Sequence, residues 1–122
     1  MADLYETIER YFAAWNEPDG GRRGSLLESV YTDEGRYLDP LADATGWEAI
    51  NDNIAAVQQQ FPDHRFQRVS EIDVHHDSAR FDWELSDPAG GTIIGGVDYV
   101  QVSEDGRLRH VTGFFGATSR LP

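Results

Sequence analysis

Apolar residues recur at helical spacing in the first part of the chain. The first stripe, typical of an amphipathic helix, consists of Leu4, Ile8, Tyr11, Phe12 and Trp15. A loop rich in helix breakers is predicted over residues 16–24. A second short helix follows, and its inner side is predicted to consist of Leu26, Leu27, Val30 and Tyr31. Residues 36–39 then predict a short strand that Pro40 ends.

The third predicted helix begins at a capping box. The Thr45 hydroxyl is expected to accept a hydrogen bond from the Glu48 amide, while the Glu48 side chain reaches back. Pro62 ends this helix, and its apolar stripe consists of Ile50, Ile54, Val57 and Phe61.

The remainder of the chain predicts strands. They cover residues 65–75, 79–85, 92–102 and 108–118, and turn-forming residues separate them. Helices followed by a run of antiparallel strands indicate an α+β fold, in which the helices pack on one face of a curved sheet. Such a sheet leaves an apolar pocket at its open end. With 122 residues, the chain is expected to form a single domain over residues 1–122.

Composition and charge restrict the chemistry and the partners. The 22 acidic and 10 basic residues give a net charge of −12, which disfavours nucleic acids and anionic membranes. No apolar run approaches the ~18 residues of a membrane helix and no signal-peptide pattern is seen, so a cytoplasmic protein is expected. The chain contains no Cys and no Lys, which excludes thiolate chemistry and lysine Schiff bases. We expect no cofactor and no metal.

One aspartate stands among aliphatic residues in the fourth predicted strand. One face of this strand consists of Ile94, Gly96, Asp98, Val100 and Val102, and the opposite face is also mostly apolar. The strand is therefore expected to be covered on both sides. An unpaired buried carboxylate is costly, so a raised pKa and a neutral acid are predicted for Asp98. The alternative is that Asp98 binds backbone amides or pairs with an arginine.

Two further polar residues are candidates for the same pocket. Asp39 ends the short strand on the same face as Tyr37, although an Asp-Pro pair is also a common turn starter. Tyr11 falls on the buried stripe of the first helix, where a phenol needs a hydrogen-bond partner. In both cases a purely structural role is the alternative.

The histidines give no metal-binding pattern. His75 and His76 are adjacent strand residues that are expected to point to opposite faces, and exposed turn histidines are the simpler interpretation. His110 is predicted to face outward, opposite Val111. His64 is expected at the pocket mouth or in solvent.

The spacing of the polar residues resembles the nuclear-transport-factor-2-like superfamily, with its SnoaL-like branch, and within it the bacterial ketosteroid isomerases. Tyr31 precedes Asp39-Pro40 by eight positions, as a tyrosine precedes the catalytic Asp-Pro of those isomerases. Asp98 precedes Gly106 by eight positions, as the oxyanion-hole aspartate of the family precedes a hairpin glycine. Tyr11 matches the tyrosine of the first helix that donates to the substrate carbonyl.

The resemblance implies a cone-shaped α+β fold and a role for each residue. Asp39 would be the general base, Tyr11 and protonated Asp98 the oxyanion hole, and Tyr31 a residue behind them. The implied pocket residues are Ile54, which replaces a family tyrosine, and Val111, Gly113 and Phe115. The partner would be a small apolar molecule, steroid-like or polyketide-like. A cyclase in which Asp98 alone is acid and base, and a non-catalytic binding or dimerisation module, remain alternatives.

A homodimer is also predicted. Both faces of the last strand are apolar, and the face assigned to Leu108 and Phe114 has no helix left to cover it.

Overall fold

Three helices and seven strands make up the part of the chain that the computed structural model describes, residues 3–122. In chain order they are α1 (Leu4–Asn16), α2 (Gly20–Val30), β1 (Tyr31–Asp39), β2 (Ala42–Thr45), α3 (Trp47–Gln60), β3 (Arg65–Arg68), β4 (Asp73–His75), β5 (Ser78–Ser86), β6 (Thr92–Val102) and β7 (Leu108–Phe115). No helix among these residues is long and apolar enough to cross a membrane.

The strands form one sheet in the order β2-β1-β7-β6-β5-β3, and β4 also pairs with β5. All neighbours are antiparallel except β1 and β7, which are parallel. The helices and the curved sheet enclose one core, which confirms the predicted α+β cone. Its largest fully buried side chains include Tyr31, Phe81, Ile8, Leu27, Ile50, Ile54 and Leu108.

The first helix follows the predicted stripe, and its buried residues are Thr7, Ile8, Tyr11, Ala14 and Trp15. The second helix begins earlier than predicted, at Gly20, so the predicted loop over residues 16–24 is too long. The Asp19 side chain caps this helix by accepting a hydrogen bond from the Arg22 amide over 2.8 Å. The buried Arg23 side chain then donates to the carbonyls of Glu17 and Pro18, which ties the new helix to the end of α1.

The first strand is longer than predicted and is followed by a strand that the sequence did not reveal. Tyr31 begins β1 in an extended conformation and does not continue the helix. Pro40 lies in a tight turn, after which β2 pairs back on β1, with Asp39 opposite Ala42. The pairing of β1 with β7 is irregular between Tyr31 and Arg36, and glycine fits at position 35 because a Cβ there would lie 2.8 Å from the Tyr31 ring.

The predicted capping box of the third helix is wrong. Thr45 is the last residue of β2 and pairs with Arg36, and the helix begins only at Trp47, so Thr45 does not stand at the cap position. Gly46 occupies the cap position with φ of 90°, a backbone conformation that glycine adopts readily, and no side chain caps the helix.

The remaining strands depart from the predictions in three places. The strand over residues 65–75 is divided into β3 and β4, which pair with different parts of β5. A register shift between Gln101 and Val102 turns Leu108 into the core, so its predicted outward position is wrong. The outer face of β6 is not covered within the chain, since Tyr99 is 44% exposed.

Candidate active site

A cavity of about 520 Å³ lies inside the cone and is lined mainly by apolar and aromatic side chains. Helix α1 contributes one wall, helix α3 another, and the sheet the floor. The titratable groups in its lining are Tyr11, Tyr37, Asp39 and Asp98. The aromatic residues that line it include Phe12, Trp15, Phe61, Phe66, Trp83 and Phe115.

Tyr11 and Asp98 meet in this cavity although 87 positions separate them. Tyr11 projects from the buried stripe of α1, and Asp98 from the middle of β6. The Tyr11 hydroxyl donates to Asp98 Oδ2 over 2.7 Å. Both side chains are buried, with exposed fractions of 2% and 4%. The salt bridges found within residues 3–122 do not include Asp98.

Burial therefore decides the protonation of this pair. It raises the pKa of Asp98 to about 7, while hydrogen bonding from Tyr11 and the nearby indole of Trp83 act in the opposite direction. The charge of Asp39 raises the pKa of Asp98 further. Burial, together with the neighbouring Asp98, also raises the pKa of Tyr11 well above its ordinary value. The phenol thus stays protonated, and Asp98 keeps its proton well above the pH at which an ordinary aspartate loses it.

Tyr31 lies behind Tyr11 and does not reach the cavity lining. It is fully buried, and the two tyrosine rings are in edge-to-face contact with centroids 6.4 Å apart. Its hydroxyl has no hydrogen-bond partner among the described residues. Tyr31 therefore supports Tyr11 through packing and not through a hydrogen bond.

The other predicted pocket residues divide into lining and core. Phe115 lines the cavity, whereas Ile54 and Val111 have exposed fractions of 0% and belong to the core beside it. Gly113 pairs with Asp98 across the sheet. A Cβ at Gly113 would lie 2.8 Å from Asp98 Oδ1 and 3.6 Å from the Cβ of Asp39. The absence of a side chain at this position leaves space for both carboxyl groups.

Asp39 is held by two donors that the sequence did not predict. The Tyr37 hydroxyl donates to Asp39 Oδ2 over 2.6 Å, and the Leu41 backbone N–H donates to Oδ1 over 2.8 Å. Asp39 is half-buried and lines the cavity. The turn and the cavity were alternative positions for Asp39 in the sequence analysis, and the structure shows that Asp39 occupies both. The spacing of two along a strand was the signal that could have identified Tyr37 as its partner.

Trp83 is a second residue whose position in the site was missed. It is buried, and it also lines the cavity. Its indole N–H has no hydrogen-bond partner of normal geometry, although it lies close enough to Asp98 to affect the pKa of that group. Gly96 pairs with Trp83 and leaves room for the ring, since a Cβ there would lie 2.6 Å from an indole carbon.

The histidines lie outside this cavity. Both His75 and His76 are exposed, as predicted, with His75 at the end of β4 and His76 in the turn after it, but their Nδ1 atoms are 3.1 Å apart. The predicted divergence of the two rings is wrong because His76 has φ of 52°, which interrupts the alternation of a strand. His64 lines a neighbouring cavity of about 320 Å³. Within residues 3–122, no three His, Asp or Glu side chains cluster as metal ligands.

Comparisons with known proteins agree with this architecture. Residues 8–111 match the SnoaL-like domain. A proposed isomerase of the SnoaL-like family from Agrobacterium tumefaciens is 36% identical, with 96% of this chain and 100% of that chain covered and a TM-score of 0.88. No curated protein matches the chain.

More distant structures share the fold alone. A proposed SnoaL-like polyketide cyclase from Jannaschia is 18% identical, with 92% of this chain and 84% of that chain covered and a TM-score of 0.74. A proposed polyketide cyclase from Sinorhizobium meliloti is 16% identical, with 88% and 93% covered and a TM-score of 0.70.

Proposed function

We propose that this chain, which belongs to the SnoaL-like family, is an enzyme that moves a proton next to a carbonyl group of an apolar cyclic substrate. The reaction would be like that of a ketosteroid isomerase or a polyketide cyclase. The observation that carries the proposal is that the Tyr11–Asp98 pair and the Asp39 carboxyl line one largely apolar cavity. A cavity of about 520 Å³ is of a size that takes a small multi-ring molecule.

In the proposed reaction, the carbonyl oxygen of the substrate binds at Tyr11 and Asp98. The Asp39 carboxylate removes a proton from the carbon next to the carbonyl, and the electron pair of that C–H bond moves toward the oxygen. The Tyr11 O–H, which donates to Asp98 Oδ2 in this structure, turns to the substrate in this step, so the enolate oxygen accepts hydrogen bonds from the Tyr11 phenol and the protonated Asp98 carboxyl. Protonated Asp39 returns the proton to another carbon, which completes an isomerisation without any cofactor.

The electrostatics of the site favour this division of roles. A charged Asp98 would repel the developing negative charge on the substrate oxygen, whereas the neutral acid donates to it. A bound apolar ring excludes water from the cavity and so favours the neutral form of Asp98 further. Asp39 instead accepts one hydrogen bond on each carboxyl oxygen, and the remaining lone pairs can accept the substrate proton.

Similarity to the Agrobacterium protein supports an isomerase. That protein is named a proposed isomerase and matches this chain over nearly its whole length. An apolar substrate, steroid-like or polyketide-like, agrees with the aromatic lining of the cavity.

A polyketide cyclase is the second candidate, and one observation favours it. Asp98 lines the cavity from a buried position, and this burial raises its pKa to about 7, which suits a single group that acts as both acid and base near neutral pH. In that reaction Asp98 would remove a proton and later return one, and Asp39 would be needed only for the structure of the turn.

We also propose that two copies of the chain pair through the outer face of the sheet. Ile93, Tyr99 and Phe114 are 50%, 44% and 53% exposed there, and the last two are in ring contact. Contiguous exposed apolar side chains mark interaction surfaces. Light scattering should give twice the 13.7 kDa of one chain. A monomer at micromolar concentration would contradict the pairing.

The test of the function uses two probes. A β,γ-unsaturated ketosteroid or a smaller cyclic β,γ-enone should be converted to its conjugated α,β isomer. The reaction is followed by ultraviolet absorbance. A phenolic steroid should bind in the cavity and compete with that substrate. Binding without any turnover would indicate a binding module or another substrate. The absence of both binding and turnover would reject a steroid-like ligand.

A further inference from the structure

A second phenol lies in the cavity, and the proposed reaction does not use it. Tyr37 is 5% exposed, lines the cavity and packs against Trp15, with ring centroids 5.4 Å apart. It stands two residues before Asp39 on β1, so both side chains project from the same face of the strand. The Tyr37 hydroxyl donates to Asp39 Oδ2 over 2.6 Å.

The two carboxylate oxygens of Asp39 are held from opposite directions along the chain. The strand before it supplies the Tyr37 phenol, and the turn after it supplies the Leu41 N–H over 2.8 Å. A carboxylate with one donor can rotate about its Cβ–Cγ bond, whereas donors on both oxygens fix its plane. Each oxygen retains a further lone pair that can accept a proton.

The Tyr37 phenol is suited to act as a donor and not as a proton carrier. Burial raises its pKa far above the ordinary value, and the carboxyl groups of Asp98 and Asp39 act in the same direction. The other titratable groups in the cavity lining are Tyr11 and Asp98, which bind each other. No other side chain within residues 3–122 is hydrogen-bonded to Asp39.

We propose that Tyr37 is a positioning residue for proton transfer, which holds the Asp39 carboxylate in the orientation that meets the substrate C–H bond. This inference rests on the proposed function, because it assigns a role relative to Asp39 as the base. Its physical basis is that a reacting group that is displaced by about 1 Å can lose roughly 100-fold in rate. The phenol thus contributes to kcat through the geometry of Asp39 and makes no bond to the substrate.

The test compares Tyr37→Phe with Tyr5→Phe, which removes an exposed phenol on α1 far from the cavity. On the enone, Tyr37→Phe should lower kcat about 10- to 100-fold while KM changes less than about threefold. Tyr5→Phe should match the wild type in both quantities, and an equal result for Tyr37→Phe would overturn the proposal.

A second readout is independent of turnover. Carbon-13 labelled aspartate, assigned through Asp39→Asn, should show a shifted Asp39 carboxyl resonance at pH 8 in Tyr37→Phe and not in Tyr5→Phe. If no variant turns over the enone but this resonance shifts, the proposed function fails while the Tyr37–Asp39 bond stands. An unshifted resonance overturns the positioning role. Should Tyr37→Phe not fold, 3-fluorotyrosine at position 37 keeps the phenol donor and should leave kcat close to that of the wild type, and a large loss of kcat in this variant would overturn the positioning role.

Discussion

The middle of β6 and the end of β1 present the same functional group to one cavity in two different settings. Asp98 is 4% exposed in mid-strand, where the backbone N–H groups are used by the sheet, and the Tyr11 phenol is its hydrogen-bond donor. Asp39 is half-buried where its strand ends, and the turn offers it the free N–H of Leu41. Burial without backbone donors raises the pKa of Asp98, whereas the strand end gives Asp39 a donor for each carboxyl oxygen. Position within the secondary structure thus gives the two carboxyl groups different surroundings.

Of the substitutions at these two carboxyl groups and their partners, replacement of Asp39, the proposed base, should lower kcat most. Asp39→Asn keeps the size and hydrogen-bonding shape of the side chain but removes the proton acceptor. Loss of general-base catalysis should lower kcat on the enone by about 10²- to 10⁴-fold. Asp52→Asn, at an exposed position of α3, is the matched control and should remain fully active. Full activity of Asp39→Asn would remove Asp39 from the mechanism and favour the cyclase in which Asp98 acts alone.

Removal of the donor from the other end of the site should come next. Tyr11→Phe deletes the phenol that binds Asp98 and is proposed to bind the substrate oxygen. One oxyanion donor is worth roughly 10²- to 10³-fold in kcat, so this loss is expected in steady-state kinetics. An unchanged kcat would show that the substrate oxygen does not bind at Tyr11.

The pH dependence of stability should distinguish the two carboxyl groups without any substrate. Because the folded-state pKa of Asp98 is raised from 3.8 to about 7, the folded protein retains this proton between those values while the unfolded chain releases it. The contribution of Asp98 to the free energy of unfolding therefore falls as pH rises from about 4 to 7, by up to about 4 kcal/mol. Above pH 7 it stays constant.

Asp98→Asn isolates this contribution, because the amide cannot ionise. Urea unfolding of the wild type and the variant should be measured at a series of pH values and at equal protein concentration. The difference, variant minus wild type, should increase between pH 4 and 7 and then level off. A difference that does not change with pH would mean that Asp98 titrates alike in the folded and unfolded states.

A smaller effect is expected from the glycine between the two carboxyl groups. Gly113→Ala would place a Cβ 2.8 Å from Asp98 Oδ1, so the carboxyl must move or the strand must shift. Overpacking of this kind costs about 1–3 kcal/mol in the free energy of unfolding. Gly20→Ala adds the same methyl group in ordinary contact at the start of α2 and is the control. Equal thermal stability of the two variants would contradict the tight packing around Asp98.

The sequence predicted the buried half of the site better than its edge. The stripe of α1 and the alternation of β6 are periodic, so they indicated Tyr11 and Asp98 as inward-facing residues. The meeting of these two side chains follows from the tertiary fold, which the family resemblance supplied. The Tyr37–Asp39 bond was not predicted, although both residues were assigned to one strand face.

Local irregularities explain the remaining errors. The register shift near Val102 turns Leu108 inward, and the left-handed backbone of His76 brings the two adjacent histidines together. Thr45 matched a helix-capping motif but belongs to β2. This strand is defined by its pairing with β1, in which Asp39 lies opposite Ala42. Such features depend on contacts between distant segments, which the pattern of one segment does not contain.

The central claim is that Asp98, beside Tyr11, keeps its proton far above the pH at which an ordinary aspartate loses it, and carbon-13 NMR of labelled aspartate tests this claim most directly. The Asp98 carboxyl resonance is assigned as the one that is lost in Asp98→Asn. In the wild type this resonance should titrate with a midpoint near pH 7, and in Tyr11→Phe the midpoint should be higher, because the phenol favours the charged form. A wild-type midpoint near 4, the range of an ordinary aspartate, would contradict the neutral acid and with it the proposed oxyanion site.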